Sequence, residues 1–422
     1  MRFALKLEGC IRVMKSALAV SVVAMTAFVA GCGGGGGDSS SSSSNNNSGP
    51  NQQPIAANAA NTVAVSVDRG IAGAINIPTV TVTVCAPNST SNCATIDHVL
   101  LDTGSYGLRV VNSALGSLTN SLPVQQATAG GVLAECTQFA DGFTWGTTRT
   151  ATVKISGEVA NNIPIQVIGD LDNSTVPAKG CVNGANESSA QALGTKGILG
   201  IGVAPVDCGT RCSVQSIAQD SSIYYACPNG TNCTQTVAET FKQVANPVHN
   251  FPVDNNGVIV QMAPIPSNGA ASASGTVVFG IGTQSNNGNT AGSTYTTDQS
   301  GDFPVANQSN TVFLDSGSNG YFFQDNTLPT CTNLTDFYCP TSTQQRTVNL
   351  VGTNGAKGSV NISIANAQNL LNNTSNFAFN DLGGHVDSIP GTDLGIPFFY
   401  GRYVYYGMDK RATGGAAPFV AF

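Results

Sequence analysis

Two similar stretches of sequence, one in each half of the chain, decide the fold: His98-Val-Leu-Leu-Asp102-Thr-Gly-Ser105-Tyr-Gly-Leu108 and Thr311-Val-Phe-Leu-Asp315-Ser-Gly-Ser318-Asn-Gly-Tyr321. Each begins with an apolar run typical of a buried strand and continues into Asp-[Thr/Ser]-Gly-Ser. One such tetrapeptide is usually a β-turn, because Asp and Gly are common in turns. Two copies, each preceded by a similar apolar strand, indicate a duplicated loop that holds catalytic side chains.

Paired carboxylates are the chemistry that this repeat predicts. Two loops that face each other can hold Asp102 and Asp315 about 3 Å apart. Carboxylates that close cannot both ionise readily, so the pair shares one proton. One carboxylate then acts as base on a bound water, while its protonated partner polarises a carbonyl. We expect the rest of each loop to support the pair: Thr103, Gly104, Ser105, Ser316, Gly317 and Ser318.

Composition favours an exported, β-rich body. Only 10% of the 422 residues are charged, against about 25% in an average soluble protein. The 17 Lys and Arg are nowhere clustered, which excludes an electrostatic surface for nucleic acid. Short β-branched or aromatic runs bounded by turn residues predict strands. These runs are Val63–Val67, Val80–Val84, Ala151–Ile155, Ile163–Ile168, Val258–Met262, Thr276–Phe279, Val360–Ile364 and Tyr403–Tyr406. Helix-like patterns are confined to Val237–Val244 and Ala365–Leu371.

Further motifs follow the two Asp in an order that resembles the pepsin-like aspartic peptidases. Phe139–Gly146 looks like the flap hairpin of that family, and Gly197-Ile-Leu-Gly200 looks like the element beside its first catalytic loop. Gly275–Gly280 resembles the strand that opens its second lobe. Asp393-Leu-Gly395 resembles its second glycine element, although two apolar residues are expected before that glycine. The ordered set covers roughly residues 62–422.

The resemblance implies an all-β, bilobal body of two double-ψ β-barrel lobes with a central active-site cleft. It also implies that Phe139, Gly142 and Trp145 contribute to the flap and to substrate binding. Phe139 stands where the family usually carries Tyr, and an alternative register would place Trp145 at the tip of the hairpin. The implied activity is peptide-bond hydrolysis on a polypeptide substrate, by a monomer without a cofactor.

The first residues read as an export signal and a tether. Basic residues precede the largely apolar run Ala17–Val29, which is too short for a permanent membrane span. The run ends at Val29-Ala30-Gly31-Cys32, which resembles a bacterial lipobox, whether translation starts at Met1 or Met14. The resemblance implies a signal peptide at 1–31, lipid on Cys32, and a location in the cell envelope, with the outer membrane favoured. Residues 32–61 are rich in Gly, Ser and Asn and predict a flexible tether.

The remaining cysteines predict disulfides, because an exported chain keeps them oxidised. Spacing suggests Cys85–Cys93, Cys331–Cys339 and the long-range pair Cys136–Cys181. The pairing among Cys208, Cys212, Cys227 and Cys233 stays open. Zinc binding is the competing interpretation. Only Cys208 and Cys212 have the sequence spacing of a zinc-ligand pair, and no His lies in the cluster. No metal site is therefore expected, and His98, His249 and His385 are isolated.

We expect two lobes, residues 62–250 and 251–422, and a lipid-anchored aspartic endopeptidase with Asp102 and Asp315 as its catalytic pair. The alternative is an inactive lipoprotein of the same fold that binds a polypeptide or a glycan in its cleft. A surface protein with only a structural role is the third class. Intact Asp at both loops favours the enzyme, because a binding protein has no chemical need for both.

Overall fold

The computed structural model describes residues 51–181, 184–304, 311–386 and 391–422. The predicted signal peptide, Cys32 and the tether up to residue 50 lie outside the described residues. The body is mostly β-structure and includes a closed six-stranded barrel, which confirms the all-β expectation.

Every predicted strand lies within an observed one. The strands of the described residues are β1 (Thr62–Val67), β2 (Pro78–Cys85), β3 (Cys93–Asp102), β4 (Tyr106–Val111), β5 (Val132–Gln138), β6 (Gly142–Ile155), β7 (Glu158–Ile168), β8 (Ala185–Asn186), β9 (Gly197–Ile201), β10 (Tyr224–Cys227), β11 (Thr234–Gln235), β12 (Gly257–Met262), β13 (Ala273–Phe279), β14 (Thr294–Thr296), β15 (Phe303–Pro304), β16 (Thr311–Asp315), β17 (Tyr321–Phe322), β18 (Gln344–Val351), β19 (Lys357–Ile364), β20 (Gly383–Gly384), β21 (Gly391–Gly395), β22 (Tyr403–Gly407) and β23 (Phe419–Ala421).

Helices are short. The α-helices of the described residues are α1 (Asn112–Leu115), α2 (Ala190–Leu193), α3 (Thr210–Ser213), α4 (Gln215–Ser221) and α5 (Ala367–Leu371). Short 3₁₀ helices lie at Gly116–Ser121, Asn173–Thr175, Pro228–Gly230, Thr240–Lys242, Val248–Asn250, Ile396–Phe398 and Arg411–Thr413. Within the described ranges, no helix has the length and apolar character needed to cross a membrane.

One of the two helix predictions is confirmed and one is wrong. Helix α5 forms inside Ala365–Leu371, and Asn366 caps it by accepting a hydrogen bond from the Asn369 amide. The segment Val237–Val244 contains only a 3₁₀ turn. Its backbone bonds to distant partners instead, since the Val244 amide donates to the Tyr224 hydroxyl at 2.7 Å. Tertiary contacts here outweigh local helix propensity.

The first half of the chain closes into the six-stranded barrel. The ring runs β2–β3–β9–β4–β7–β6 and returns from β6 to β2. Strand β3 lies parallel to β9, with Asp102 opposite Gly200, and β9 runs antiparallel to β4. The barrel therefore places Asp102 at the end of a strand that is paired along its buried length.

The second half repeats this three-strand arrangement. Strand β16 lies parallel to β21, with Asp315 opposite Gly395, and β21 runs antiparallel to β17. The aspartate loop thus takes the same place in both halves. The strand before each loop pairs in parallel with a glycine-containing strand, and the strand after the loop pairs with the other side of that glycine-containing strand.

A shared sheet joins the two halves. Its strands run β1–β13–β12–β22–β23–β14, and β1 from the first half pairs along its whole length with β13 of the second. Residues that precede β1 also pack onto this sheet, since the Ile55 amide donates to Gln261 and the Thr276 hydroxyl donates to the Ile55 carbonyl. The coil predicted for 32–61 therefore does not extend free to residue 61, because its last part is hydrogen-bonded to the body.

Five disulfides form within the described residues, and the three suggested pairings are confirmed. They are Cys85–Cys93, Cys136–Cys181, Cys208–Cys212, Cys227–Cys233 and Cys331–Cys339. The four cysteines whose pairing the sequence left open therefore form two disulfides, each between cysteines that are close in sequence. Five disulfides fit an exported protein.

A buried ion cluster fixes the insertion Asp207–Val237 to the barrel. The fully buried guanidinium of Arg109, on β4, donates to Glu135 at 2.6 Å and to Asp207 at 2.9 Å. Tyr224, on β10, donates its hydroxyl to Asp207 at 2.7 Å. Burial raises the pKa of Asp207 well above its usual range. The insertion also adds β10 to the edge strand β5, so it braces the hairpin formed by β5 and β6.

We predict that Arg109→Met lowers the free energy of unfolding by about 3–5 kcal/mol, because it leaves two buried carboxyls without their cation. Equilibrium urea unfolding measures this loss. Arg411→Met is the matched control, since the Arg411–Asp409 pair lies at the surface and should contribute at most about 1 kcal/mol. Equal losses for the two variants would contradict the prediction.

Candidate active site

Each of the two loops folds around its own aspartate. The Gly104 amide donates to Asp102 Oδ1 at 2.8 Å, and the Gly317 amide donates to Asp315 Oδ1 at the same distance. The other oxygen of each carboxyl faces the serine that ends the motif. Ser105 donates to Asp102 Oδ2, and Ser318 lies 3.2 Å from Asp315 Oδ2. The repeat in sequence is thus a repeat in hydrogen bonding.

Four reciprocal hydrogen bonds tie one loop to the other. The Thr103 hydroxyl accepts from the Ser316 amide at 2.8 Å and donates to the Leu314 carbonyl at 3.3 Å. The Ser316 hydroxyl accepts from the Thr103 amide at 3.1 Å and donates to the Leu101 carbonyl at 2.8 Å. Each hydroxyl uses both its donor and its acceptor capacity on the opposite loop, so the loops are held in one relative position.

The two carboxyls meet at the junction, where they are hydrogen-bonded to each other and fully buried. The glycines make this approach possible. A β-carbon on Gly104 would lie 2.5 Å from the Asp315 carboxyl, and one on Gly317 would lie 2.8 Å from Asp102 Oδ1. No larger residue fits at either position without moving a carboxyl.

Burial and mutual repulsion set the protonation of the pair. Burial raises the pKa of Asp102 and raises the pKa of Asp315 well above its usual range, and the charge of Asp102 raises the pKa of Asp315 further. Hydrogen bonds from Ser105, Asp315 and Gly104 oppose the rise at Asp102. Because the two shifts are coupled, the carboxyls titrate as one pair, and their mutual repulsion favours a single shared proton.

The predicted flap segment forms a hairpin between β5 and β6, closed by a 2.7 Å bond from the Phe139 amide to the Gly142 carbonyl. Ala140 at its tip packs against an apolar cluster that combines Ile75 of the first half with residues of the second half, among them Phe313 and Phe322. The Phe139 ring is buried against Leu100, Val111, Ile168, Leu193 and Ile198. The hairpin thus reaches from the first half to the second.

Gly142 and Trp145 are packed tightly against neighbouring backbone and core side chains. A β-carbon on Gly142 would lie 2.5 Å from the Ala185 carbonyl, so this glycine admits β8 alongside the hairpin. The Trp145 indole is fully buried, makes an edge contact with Tyr225 and donates to the Thr175 hydroxyl at 3.0 Å. Its contacts belong to the core behind the hairpin, which places Phe139 rather than Trp145 beside the turn.

Two residues that support the site were not singled out from the sequence. Asn76 is buried, donates to the Asn319 carbonyl at 2.8 Å and accepts from the Tyr400 hydroxyl at 3.0 Å. Tyr406 donates its hydroxyl, at 3.0 Å, to the carbonyl of Leu314, which is the residue before Asp315. The sequence marks Asn76 only as a lone Asn between Ile75 and Ile77, and the structure gives it a φ of 56°, which Asn adopts more readily than most residues.

No group of three or more His, Cys, Asp or Glu side chains suited to a metal ion occurs within the described ranges. The chain matches, over residues 57–422, the family described as "Protein of unknown function (DUF3443)". The chain belongs to this family. The match covers the barrel, both aspartate loops and the shared sheet, so the site is part of what the family model describes. No curated protein matches the chain.

We predict that Thr103→Val and Ser316→Ala each lower the free energy of unfolding by about 1–3 kcal/mol, because each removes the hydroxyl that accepts from a buried amide of the opposite loop. The double variant should lose less than the two single losses together, since both substitutions disrupt one network. Urea unfolding of the four proteins measures the coupling. Thr83→Val is the control, because its hydroxyl bond to Thr95 is exposed; strictly additive losses would contradict the prediction.

Proposed function

We propose that this protein is an aspartic endopeptidase of the pepsin-like kind. One observation carries the proposal: two buried aspartates, each at the end of an equivalent strand, are hydrogen-bonded to each other. Burying two carboxyls side by side is costly for stability, and a purely structural site has no need of it. The equivalent three-strand arrangement in the two halves supports two related lobes of the double-ψ type.

The geometry suits attack by an activated water on a peptide carbonyl. The ionised carboxylate takes a proton from the water, and the protonated carboxyl donates to the carbonyl oxygen. Loop amides from Gly104 and Gly317 hold each carboxyl in orientation without adding charge. No group in this scheme forms a covalent bond to the substrate.

Access to the pair requires the hairpin to move. Both carboxyls have no solvent-exposed surface, and the tip residue Ala140 packs on an apolar cluster drawn mostly from the opposite half. An extended polypeptide could enter between the halves only when this contact opens. We therefore expect unfolded chains or exposed segments, rather than folded proteins, as substrates.

We predict that Asp102→Asn and Asp315→Asn each reduce cleavage of a reduced and alkylated polypeptide by about 10²–10⁴-fold. An amide can neither accept the proton of the water nor share the proton of the pair. Fragments quantified by mass spectrometry between acid and neutral pH measure the effect, with thermal unfolding as the check that each variant is folded.

Asp381→Asn is the matched control, because Asp381 is another buried carboxyl of the second half, with its pKa raised by burial to about 7. It should cleave like the wild type. Undiminished cleavage by folded Asp315→Asn would reject the mechanism. Polypeptide binding without cleavage by the wild type would favour the inactive binding protein instead.

We also propose that the protein is a lipoprotein attached to the bacterial envelope through Cys32. The support is the sequence around Cys32 together with the ten paired cysteines of the body, which leave Cys32 outside the disulfide framework. Residues 51–55 approach the body along the shared sheet, so the tether would leave from the edge that joins the two halves.

We predict that Cys32→Ser moves the protein from the detergent phase to the aqueous phase in a phase-separation assay, because the thiol is the group that accepts the lipid. Metabolic labelling with a fatty acid should be lost in parallel. Cys10→Ser is the control and should change neither result. Retention of Cys32→Ser with the membrane would refute the anchor.

A further inference from the structure

A polar groove opens on the second half, outside the aspartate site. Its lining is drawn from the loop 265–268 between β12 and β13, from residues 340–345, and from residues 363–373 and 380–381. None of these residues belongs to the two aspartate loops or to the hairpin. The groove has a volume of about 1160 Å³, somewhat more than the roughly 300–1,000 Å³ of most ligand pockets. It therefore has room for an extended ligand rather than a single small molecule.

Hydrogen bonds between the lining segments fix the shape of the groove. The Asn366 side chain donates to the Pro340 carbonyl at 3.1 Å, and the Asn380 side chain donates to the Ile265 carbonyl at 3.1 Å. These two main-chain acceptors are thus already used within the protein. The groove is preformed, and it offers a ligand mainly its side chains.

The side chains that line the groove are almost all neutral. Among the described residues that line it there is no Lys, Arg or His, and Asp381 is the single acid. Four exposed side chains, those of Asn268, Thr341, Thr343 and Asn369, make no hydrogen bond with other described residues. Their amides and hydroxyls can both donate and accept. An anionic ligand would find no compensating charge here, which excludes phosphates, nucleic acid and acidic polymers.

Two buried oxygen atoms of the lining residues have no hydrogen-bond partner among the described residues: Oδ1 of Asp381 and Oδ1 of Asn380. Asp381 is only 4% exposed, and burial raises its pKa to about 7. The bond from the Asn380 nitrogen to Ile265 fixes which way that amide points. Buried acceptors without donors cost stability, so this pair of oxygens indicates a bound group that supplies the donors.

We propose that this groove binds a neutral oligosaccharide whose hydroxyls donate to Asp381 and Asn380. A sugar hydroxyl has one hydrogen to give and lone pairs to receive, so it matches both the buried acceptors and the free amides and hydroxyls. Pro266, Pro340 and Leu370 also line the groove and offer apolar surface to the C–H faces of the sugar rings.

Other ligand classes fit this groove less well. An apolar ligand would leave the two buried oxygens unpaired. An extended polypeptide binds mainly through main-chain hydrogen bonds to a free strand edge, whereas the Ile265 and Pro340 carbonyls already accept from neighbouring side chains. The site is independent of the proposed peptidase, whose polypeptide substrate would enter between the halves.

The first test is the stability of Asp381→Leu, which replaces the unpaired carboxyl with an apolar side chain. Because burial raises the pKa of Asp381 from its ordinary 3.8 to about 7, the wild type loses stability as the pH rises between these values, and the variant does not. The Tyr321 phenol, the titratable group that faces Asp381, stays neutral because burial raises its pKa. Asp381→Leu should therefore unfold at a higher temperature than the wild type at pH 8, with a smaller difference at pH 4. A lower unfolding temperature at both pH values would overturn the assignment of this carboxyl to a ligand.

The second test is binding of chitotetraose and of cellotetraose to the full-length protein in detergent, measured by ligand-observed NMR. We expect at least one of the two to bind. Asp381→Leu should weaken that binding by about tenfold or more, and Asn369→Ala by about two- to tenfold, since each loses a hydrogen bond to the sugar. Asn372→Ala is the matched control, because Asn372 directly follows α5, is exposed and does not line the groove.

The outcomes decide the proposal whether or not the protein cleaves polypeptides. Absence of binding by both sugars overturns it, and so does binding that Asp381→Leu and Asn369→Ala leave unchanged. A reduced and alkylated polypeptide that binds the wild type but not Asp381→Leu would assign the groove to polypeptides instead. If Asp381→Leu fails to fold, Asn369→Ala decides, because its side chain makes no hydrogen bond with the described residues.

Discussion

The structure depends on holding two buried carboxyls in contact. Carboxyls lose their hydration when they are buried, and close pairs also repel each other, so neither would stay in place without compensation. The compensation is local and doubled: each carboxyl accepts from its own loop amide and faces its own loop serine. The four bonds of Thr103 and Ser316 then fix the distance between the loops. Strand pairing and barrel closure deliver the loops to this junction.

The two halves share a backbone arrangement but differ in the residues behind it. Both place an aspartate opposite a glycine of a parallel strand. Behind this shared geometry stands Ile198 in one half and Asp393 in the other, both fully buried. The duplicated scaffold thus gives the two carboxyls similar loops, while the neighbouring strands give them different surroundings.

The regions outside the repeat brace the insertion and the hairpin. The insertion Asp207–Val237 is fixed by Arg109, which lies on the strand that leaves the first loop, and its strand β10 extends the sheet of the hairpin. Two disulfide clips stiffen this insertion, and Cys136–Cys181 lies behind the hairpin. The hairpin is thus braced at its base, while its tip packs against an apolar cluster made mostly of residues from the second half.

The sequence by itself determined the β-class, eight of the strands, three disulfides and the similarity of the two loops, because these follow from local periodicity, spacing and a visible repeat. It predicted the pairing of Asp102 with Asp315 only as a hypothesis, since nothing local records which loops meet. The tertiary structure decided what lies around them: Asp393 behind Ser318, Asn76 against Asn319, Arg109 against Asp207, and Val237–Val244 as a non-helical segment. These contacts join residues far apart in the chain. Long-range strand pairing brings them together, and that information is held by the whole packed body rather than by any one segment.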